Sequence, residues 1–431
     1  MIDNGWAVIG GLLISRYPSR LTARVSKVMP KLSLCMIVKN EAENLRRCLD
    51  SVKGVVDEMI VMDTGSTDDT IAIAKSYGAI VPSYDWRDNF SDARNEALKY
   101  VTGDWILVLD ADEELNPAIV PQMRRALEKE ENLVINLIRH EIGAIQSPYS
   151  LIARLFRRHP QVTFTRPYHS IIDDNVAILL KKEPDWKIVE LPEIAIFHYG
   201  YTVDKIASLD KFERARKAMD GFYQQHPHDP YVCSKLGGLY LKIGRDKEGF
   251  KLLKHGLKCH GSNPHILYEL YYHLANYYYS VEEFKQSADH FIKAIKQPIL
   301  DKLKLGAYNN LGGLLYEAEN YEASLSIFEK TVEIDPSYAD GYYNLGLVLK
   351  QLHRLPESIK AYKKALKLNP DNPTIYQNLG VAYIVFGSYN EAIEIWQKGL
   401  QLLKEQGNVS RAEMLQETLK ALGASVLNGE Q

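Results

Sequence analysis

Asp104-Trp105-Ile106-Leu107-Val108-Leu109-Asp110-Ala111-Asp112 is a run of five apolar residues closed by two aspartates one residue apart. Consecutive apolar side chains bounded by polar ones read as a buried strand of a helix-covered sheet. A strand shows residues i and i+2 on one face, so Asp110 and Asp112 are expected to aim both carboxylates at one point beyond its C-terminal edge. Hard oxygen ligands favour Mg²⁺ or Mn²⁺, ions that also bind diphosphates, so the expected partner is a nucleotide whose leaving group carries phosphate. An Asp-x-Asp triplet alone says little, because at an Asp frequency of roughly 5% about one arises by chance. Its place after the strand is what gives it weight.

Outward from this strand, residues 31–201 alternate strands with amphipathic helices, an α/β pattern. Strands are expected at Leu32–Val38, Val55–Met62, Ala79–Tyr84 and Trp105–Leu109, and helices at Glu41–Val52, Thr67–Tyr77 and Ser91–Tyr100. Beyond residue 113 the pattern is less regular, with further strands at Leu133–Arg139 and Leu151–Arg158. In such a sheet the ligand sits past the C-terminal strand edges. Three loops meet there: Lys39-Asn40-Glu41, Asp63 to Asp68, and Asp110-Ala111-Asp112.

From about Pro230 the period changes. Tyr308/Leu311/Gly312/Phe328/Pro336 recurs as Tyr342/Leu345/Gly346/Tyr362/Pro370 and as Tyr376/Leu379/Gly380/Trp396, at a spacing of 34 residues. Looser copies place Tyr271/Leu274/Ala275/Phe291 and Cys233/Leu236/Gly237/Leu253 in the same slots. The pattern resembles the tetratricopeptide (TPR) repeat, a pair of helices stacked into a superhelix with a concave face. Residues 230–404 are read as about five repeats, 202–229 as a connecting helix and 405–431 as a capping helix and tail. Tyr277, Tyr278 and Tyr279 are expected to be mostly core, with the lining of a groove for a peptide as the lesser alternative.

The 431 residues carry a formal net charge of −3, which argues against a nucleic-acid footprint. Cys35, Cys48, Cys233 and Cys259 form no Cys-x-x-Cys pair, and buried thiols in a reducing, cytoplasmic compartment are the expectation. No stretch is long enough for a transmembrane span. Trp6–Ser15 is mostly apolar but about half the length needed, and Asp3 precedes it where a signal peptide carries positive charge. A weak interfacial anchor, peripheral to the membrane, is one reading. The favoured one is an extension from an upstream start codon ahead of Met29, with residues 1–30 outside the native domain.

Asp63 ends the second strand ahead of Gly65-Ser66-Thr67-Asp68. Capping explains Ser66, Thr67 and Asp68. It leaves Asp63 without an obvious N–H partner, and a role in binding a base or ribose is as plausible as a structural one. Ser91 is expected to cap the helix that carries Arg94, whose first-turn position is poor for a cation and calls for an anion, either a diphosphate or Asp63, against the bland alternative of a surface ion pair. His198 closes the strand over Glu193–Phe197 and could complete a metal's coordination beside Asp112, although a lone histidine is more often structural.

Lys31–Leu115, with Cys-Met-Ile-Val-Lys-Asn-Glu, Val-Met-Asp-Thr-Gly-Ser-Thr-Asp-Asp-Thr, Phe-Ser-Asp-Ala-Arg-Asn-Glu-Ala and Trp-Ile-Leu-Val-Leu-Asp-Ala-Asp-Glu, resembles the family 2 glycosyltransferases. More narrowly, it resembles the bacterial branch fused to TPR repeats and related to peptide S-glycosyltransferases. The resemblance implies a Rossmann-like GT-A nucleotide-sugar domain followed by the all-α TPR superhelix, and inverting transfer assisted by Mn²⁺ or Mg²⁺. It implies that Glu41 and Asp63 hold the nucleoside, that Arg94 faces the nucleotide, that Asp110 meets ribose or metal, and that Asp112 binds the metal, with Glu114 near it. A UDP-sugar is the donor favoured by family habit. The acceptor would be a polypeptide or glycan, with protein partners in the TPR groove. Relatives have His-Glu where this chain has His169-Ser170, so the base falls to Asp173, to its neighbour Asp174, or to His169 itself. The competing expectation is a TPR adaptor whose transferase-like half is inert or only binds nucleotide.

Overall fold

The computed structural model describes residues 6–9, 12–15, 29–144, 148–167, 170–199, 209–260 and 263–427. Trp6–Ile9 (β1) and Leu12–Ser15 (β2) pair as an antiparallel hairpin. Among the described residues no helix is long and apolar enough to cross a membrane.

Seven strands form the main sheet: β3 (Leu32–Val38), β4 (Glu58–Asp63), β5 (Trp105–Val108), β6 (Glu113–Leu115), β7 (Asn132–Glu141), β8 (Tyr149–Arg157) and β9 (Lys187–His198), in the order β4-β3-β5-β8-β7-β9-β6. β4, β3 and β5 are parallel, so their C-terminal ends, near Val38, Asp63 and Val108, lie along one edge. The sheet is buried on both faces, and the period-2 alternation divides its side chains. Leu34, Met36, Val61, Trp105 and Leu107 pack on one side with Leu45 and Leu49 of α1 (Ala42–Val52). Cys35, Ile60, Met62, Ile106 and Val108 pack on the other, with Ala97 of α3 (Phe90–Leu98) and Val176 and Leu179 of α5 (Asp173–Lys182). The remaining helices here are α2 (Thr70–Ser76) and α4 (Val120–Leu127).

Two local expectations need correction. Residues 79–84 run beside β4 through the bridges Ile60 to Ile80 and Asp63 to Ser83 but form no regular strand, because Pro82 removes a ladder donor. The cap of α3 is Asn89, whose side chain accepts from the amides of Ser91 and Asp92. Ser91 instead turns inward and donates to the carbonyl region of Thr165 and Arg166.

After α6 (Leu209–Gln225), helix pairs follow in series: α7 (Pro230–Lys242) with α8 (Asp246–Gly256), α9 (Pro264–Ser280) with α10 (Phe284–Ile295), α11 (Leu305–Glu317) with α12 (Tyr321–Ile334), α13 (Ala339–Gln351) with α14 (Leu355–Leu368), and α15 (Pro373–Phe386) with α16 (Tyr389–Glu405); α17 (Val409–Leu427) closes the stack. A small residue in the glycine slot, Gly in four pairs and Ala275 in the α9–α10 pair, lets the helices approach. A Cβ on Gly346 would lie 2.7 Å from the Tyr362 ring, and one on Gly312 2.7 Å from that of Phe328. Twelve residues on, a serine ties the pair together, Ser324 Oγ donating to Gly312 O at 2.8 Å and Ser358 Oγ to Gly346 O at 2.7 Å. Of the tyrosines expected in the core, Tyr277 stacks on Phe250, whereas Tyr279 is exposed and donates to Glu317.

The repeats dock on the sheet. Ile138 and Tyr149 are buried with Leu303, Leu305 and Tyr338, and Tyr149 OH donates to Asp335 at 2.5 Å. Arg166 pairs with Asp229 at 2.9 Å beneath the Tyr231 ring, and His265 meets Glu190 at 3.1 Å.

Candidate active site

The site lies where β4, β3 and β5 end. Asn40, in a left-handed conformation at φ 54°, joins the first two loops: its side chain accepts from the Thr67 amide at 2.8 Å while its own amide donates to Ser66 Oγ at 3.0 Å. Glu41 heads α1 and accepts from Asn44 Nδ2 at 2.9 Å. Asp63 is buried, and its carboxylate accepts from the amides of Gly65 at 3.0 Å and Ser66 at 3.1 Å. The N–H partners not apparent in the sequence come from the turn itself, because Gly65 at φ 103° lets the backbone curl back over the carboxylate.

The two aspartates of the Asp-Ala-Asp triplet part company. The strand stops at Val108, so the pleat that would align them is lost, and a turn follows at Ala111-Asp112. Asp110 joins two arginines: Arg94 Nη2 at 2.7 Å and Arg154 Nη2 at 3.1 Å. The anion sought by Arg94 is therefore Asp110. Burial alone would push the Asp110 carboxyl up, but Arg154 and Arg94 together hold it well below the usual carboxylate range. Both guanidinium groups keep buried N–H groups with no partner among the described residues, Nε and Nη1 of Arg94 and Nη1 of Arg154. Arg154 was not singled out in the sequence. It sits mid-strand in β8, and only the β5–β8 pairing brings it to this edge.

Asp112 meets His198 instead. β6 pairs antiparallel with β9 in a register that sets Glu113 opposite His198, and His198 Nε2 lies 3.5 Å from Asp112 Oδ2. On the other side of the ring, Nδ1 is 2.5 Å from Glu141 Oε2. Burial works against charging this imidazole, but hydrogen bonds to Asp112 and Glu141 prevail and raise its pKa to about 9. Glu141, despite a burial cost, is lowered to about 2 by His198, Arg139 and Ser150. Behind them Glu113 is fully buried, bridging Arg139 Nη1 at 2.8 Å and the Asp110 amide at 2.9 Å. Glu114 accepts from Tyr199 OH at 3.1 Å, and Arg47 lies over the Tyr199 ring at 4.0 Å. Glu113, Arg139 and Glu141 had no sequence signature, since buried charges on a strand reveal their pairing only when the sheet is assembled.

The candidates for the base lie elsewhere. His169 falls outside the described residues. Ser170 is within hydrogen-bond distance of Ser91 Oγ, at 2.9 Å. Asp174 is spent on Arg166 Nη2 at 2.9 Å and Thr165 Oγ1 at 2.6 Å. Asp173 opens α5 on an exposed turn, with Arg166 and His265 as its nearest opposite charges.

Glycosyl transferase family 2 matches residues 33–189, and TPR families match residues 305–334 and 348–384. An uncharacterized glycosyltransferase of Rickettsia felis is 31% identical over 203 residues, 44% of this chain and 70% of that protein. The chain belongs to glycosyl transferase family 2. A TPR repeat-containing protein of Synechococcus elongatus is 46% identical to this glycosyltransferase over 286 residues, 66% of this chain and 71% of that one. The glycosyltransferase SunS of Bacillus subtilis is 28% identical over 232 residues, 52% of this chain and 53% of that one. Among solved structures, the TPR protein YrrB, described as having an unusual peptide-binding site, covers 46% of this chain and 100% of its own at 18% identity and a TM-score of 0.38. The N-terminal mixed sheet is consistent with a GT-A domain, so this family 2 glycosyltransferase joins an α/β catalytic domain to TPR repeats.

Proposed function

We propose that this glycosyltransferase is a metal-dependent, inverting enzyme that moves a sugar from a nucleotide-sugar to a protein, peptide or glycan acceptor recruited by the repeats. The observation that carries the reading is the Asp112–His198–Glu141 series. Glu141 accepts a hydrogen bond from Nδ1–H, which holds the ring with Nε2 toward Asp112, the arrangement in which a carboxylate orients a metal-binding imidazole. One carboxylate and one imidazole suit an ion such as Mn²⁺ or Mg²⁺, which usually keeps waters and takes its other ligands from substrate phosphates. Asp112 and His198 would hold it, and when bound it would supply positive charge to the departing diphosphate.

The chain's own residues account for the rest. Asp63, held rigid by its turn, and Glu41 would receive hydrogen bonds from the nucleoside. Arg94 and Arg154, fixed by Asp110, present their spare N–H groups to anionic oxygen. In a single displacement the acceptor's lone pair forms a bond to the anomeric carbon as the bond to diphosphate breaks, and a base removes the acceptor proton. We assign that base to Asp173, with His169 as its neighbour in sequence. Asp173 stands near Arg166, His265 and Tyr231, where sheet domain and repeats meet, so an acceptor delivered by the repeats would reach it there.

The test is donor hydrolysis and transfer across UDP-, GDP- and dTDP-sugars with Mn²⁺ or Mg²⁺, comparing wild type with Asp112→Asn. Turnover of one donor that needs the metal and is lost in the variant is the expected result. Equal turnover in both proteins would refute the metal assignment. An Asp173→Asn variant that keeps full transfer would remove Asp173 as the base.

A further inference from the structure

Away from the transferase edge, the first repeat gathers side chains that the sequence keeps apart. His228 lies in the turn before α7, His255 in the last turn of α8, and Cys259 in the bend that follows that helix, where its thiol donates to His255 O. One ligand atom from each of the three falls within 4.8 Å of the others. A fourth group stands beside them: Cys233, in the first turn of α7, is buried with its thiol in hydrogen-bond contact with that of Cys259. All three outer residues are partly or fully exposed, which leaves an open path from solvent.

We propose that His228, His255, Cys259 and Cys233 form a structural site for a thiophilic divalent cation of the Zn²⁺ class. Two imidazoles and two thiolates are a set that Zn²⁺ takes in tetrahedral geometry. Bonds of about 2.0–2.3 Å place such ligands roughly 3.3–3.8 Å apart. His228, His255 and Cys259 already stand within 4.8 Å of one another, and Cys233, in contact with Cys259, would have to close on the two imidazoles as the ion binds. The outer shell is in place as well. His255 Nε2 lies 2.9 Å from Pro227 O; a carbonyl can only accept, so Nε2 carries the proton and the Nδ1 lone pair is free to ligate. The thiols now donate to carbonyls, Cys259 Sγ to His255 O at 3.4 Å and Cys233 Sγ to Pro227 O at 3.8 Å. Metal binding replaces those protons: one Zn²⁺ enters, two thiol protons leave, and the site becomes electrically neutral.

The consequence is mechanical. The bound ion would tie the entry turn of the repeats to the end of α8. It would do so one residue from Asp229, which caps α7 and carries the Arg166 bridge to the sheet domain. The donor set differs from the oxygen-rich transferase edge, so the two sites should prefer different ions.

The experiment uses the full chain, reduced and stripped of metal, titrated with Zn²⁺ against a chromogenic chelator in excess Mg²⁺, and in parallel with Co²⁺. The expected result is one equivalent of tightly bound Zn²⁺ in both wild type and Asp112→Asn, with a thiolate-to-cobalt charge-transfer band. Cys259→Ser and His255→Ala should each weaken binding by about 10- to 100-fold, and Cys259→Ser should dim the band. His228→Ala, at an exposed position, should also weaken binding, with circular dichroism of the variant checking that the fold is kept. Wild-type affinity in all three variants, or loss of Zn²⁺ binding in Asp112→Asn, would overturn the proposal. So would a Cys233–Cys259 disulfide in the isolated protein whose reduction brings no Zn²⁺ uptake.

Discussion

His198 is the residue on which the proposed metal site turns, because two carboxylates flank one ring. With its pKa raised to about 9, the imidazole is a cation at neutral pH until a metal displaces the Nε2 proton. The sign follows: below about pH 9 each metal bound releases a proton, so apparent Mn²⁺ affinity should climb roughly tenfold per pH unit toward that value and level off above it. A titration series from pH 6.5 to 9.5 checks this, and a flat profile would mean that His198 does not ligate. Glu141→Gln keeps the shape of the side chain but not its charge, and should weaken Mn²⁺ binding by about 10- to 100-fold; unchanged affinity would separate Glu141 from the metal. Glu113 predicts a different kind of loss. It is fully buried between Arg139 and the Asp110 amide, so Glu113→Ala removes one of the two carboxylates on Arg139, which keeps Glu141 at 2.8 Å, leaves the Asp110 amide without its acceptor, and should lower stability by about 1–3 kcal/mol in urea unfolding. The place of Asp63, Asp110 and Asp112 at the ends of strands was legible in the sequence, because each follows an apolar run. Arg154, Glu113 and Glu141 were not, because a polar residue on a strand looks the same whether its face meets solvent or an ion pair.

Elements of the two halves obey different periods, and both periods were readable. The apolar runs of β3 and β5 emerged within one residue of their expected bounds, since each must bury both faces, while β4 starts at Glu58, three residues after its expected start. The short β6, Glu113–Leu115, was missed. Its two glutamates make it look like a loop, yet its register with β9 is what brings His198 to Asp112. In the repeats the glycine slot carries the packing. Gly346→Val should destabilise by about 1–3 kcal/mol, because the added carbon atoms meet the Tyr362 ring, already 2.7 Å from where a Cβ would stand. Thermal unfolding measures it. A substitution at Gly313, where a Cβ would meet nothing within 4 Å, is the control. Ser287, Ser324 and Ser358 each stand 12 residues after the small-residue slot, an offset visible in the sequence.

At the scale of the whole molecule, the repeats are seated on the sheet domain through Ile138, Tyr149, Leu303, Leu305 and Tyr338. An apolar contact of this kind should couple the two halves thermodynamically. Calorimetry of the wild type is expected to show one unfolding transition, and Leu305→Asp, which places a charge in that cluster, should split it into two. A single transition in the variant would mean that other contacts hold the halves together.

The sequence by itself determined the two-part architecture, the edge where the ligand site would form and the acidic residues around it, because periodicity and strand-end position are local properties of a chain. Only the tertiary structure decided which charges meet. Asp110 went to Arg94 and Arg154, Asp112 went to His198, and His228 and Cys233 came to His255 and Cys259. Those pairings depend on strand register and helix packing between segments tens of residues apart, and Coulomb attraction acts on distance in space rather than on separation along the chain.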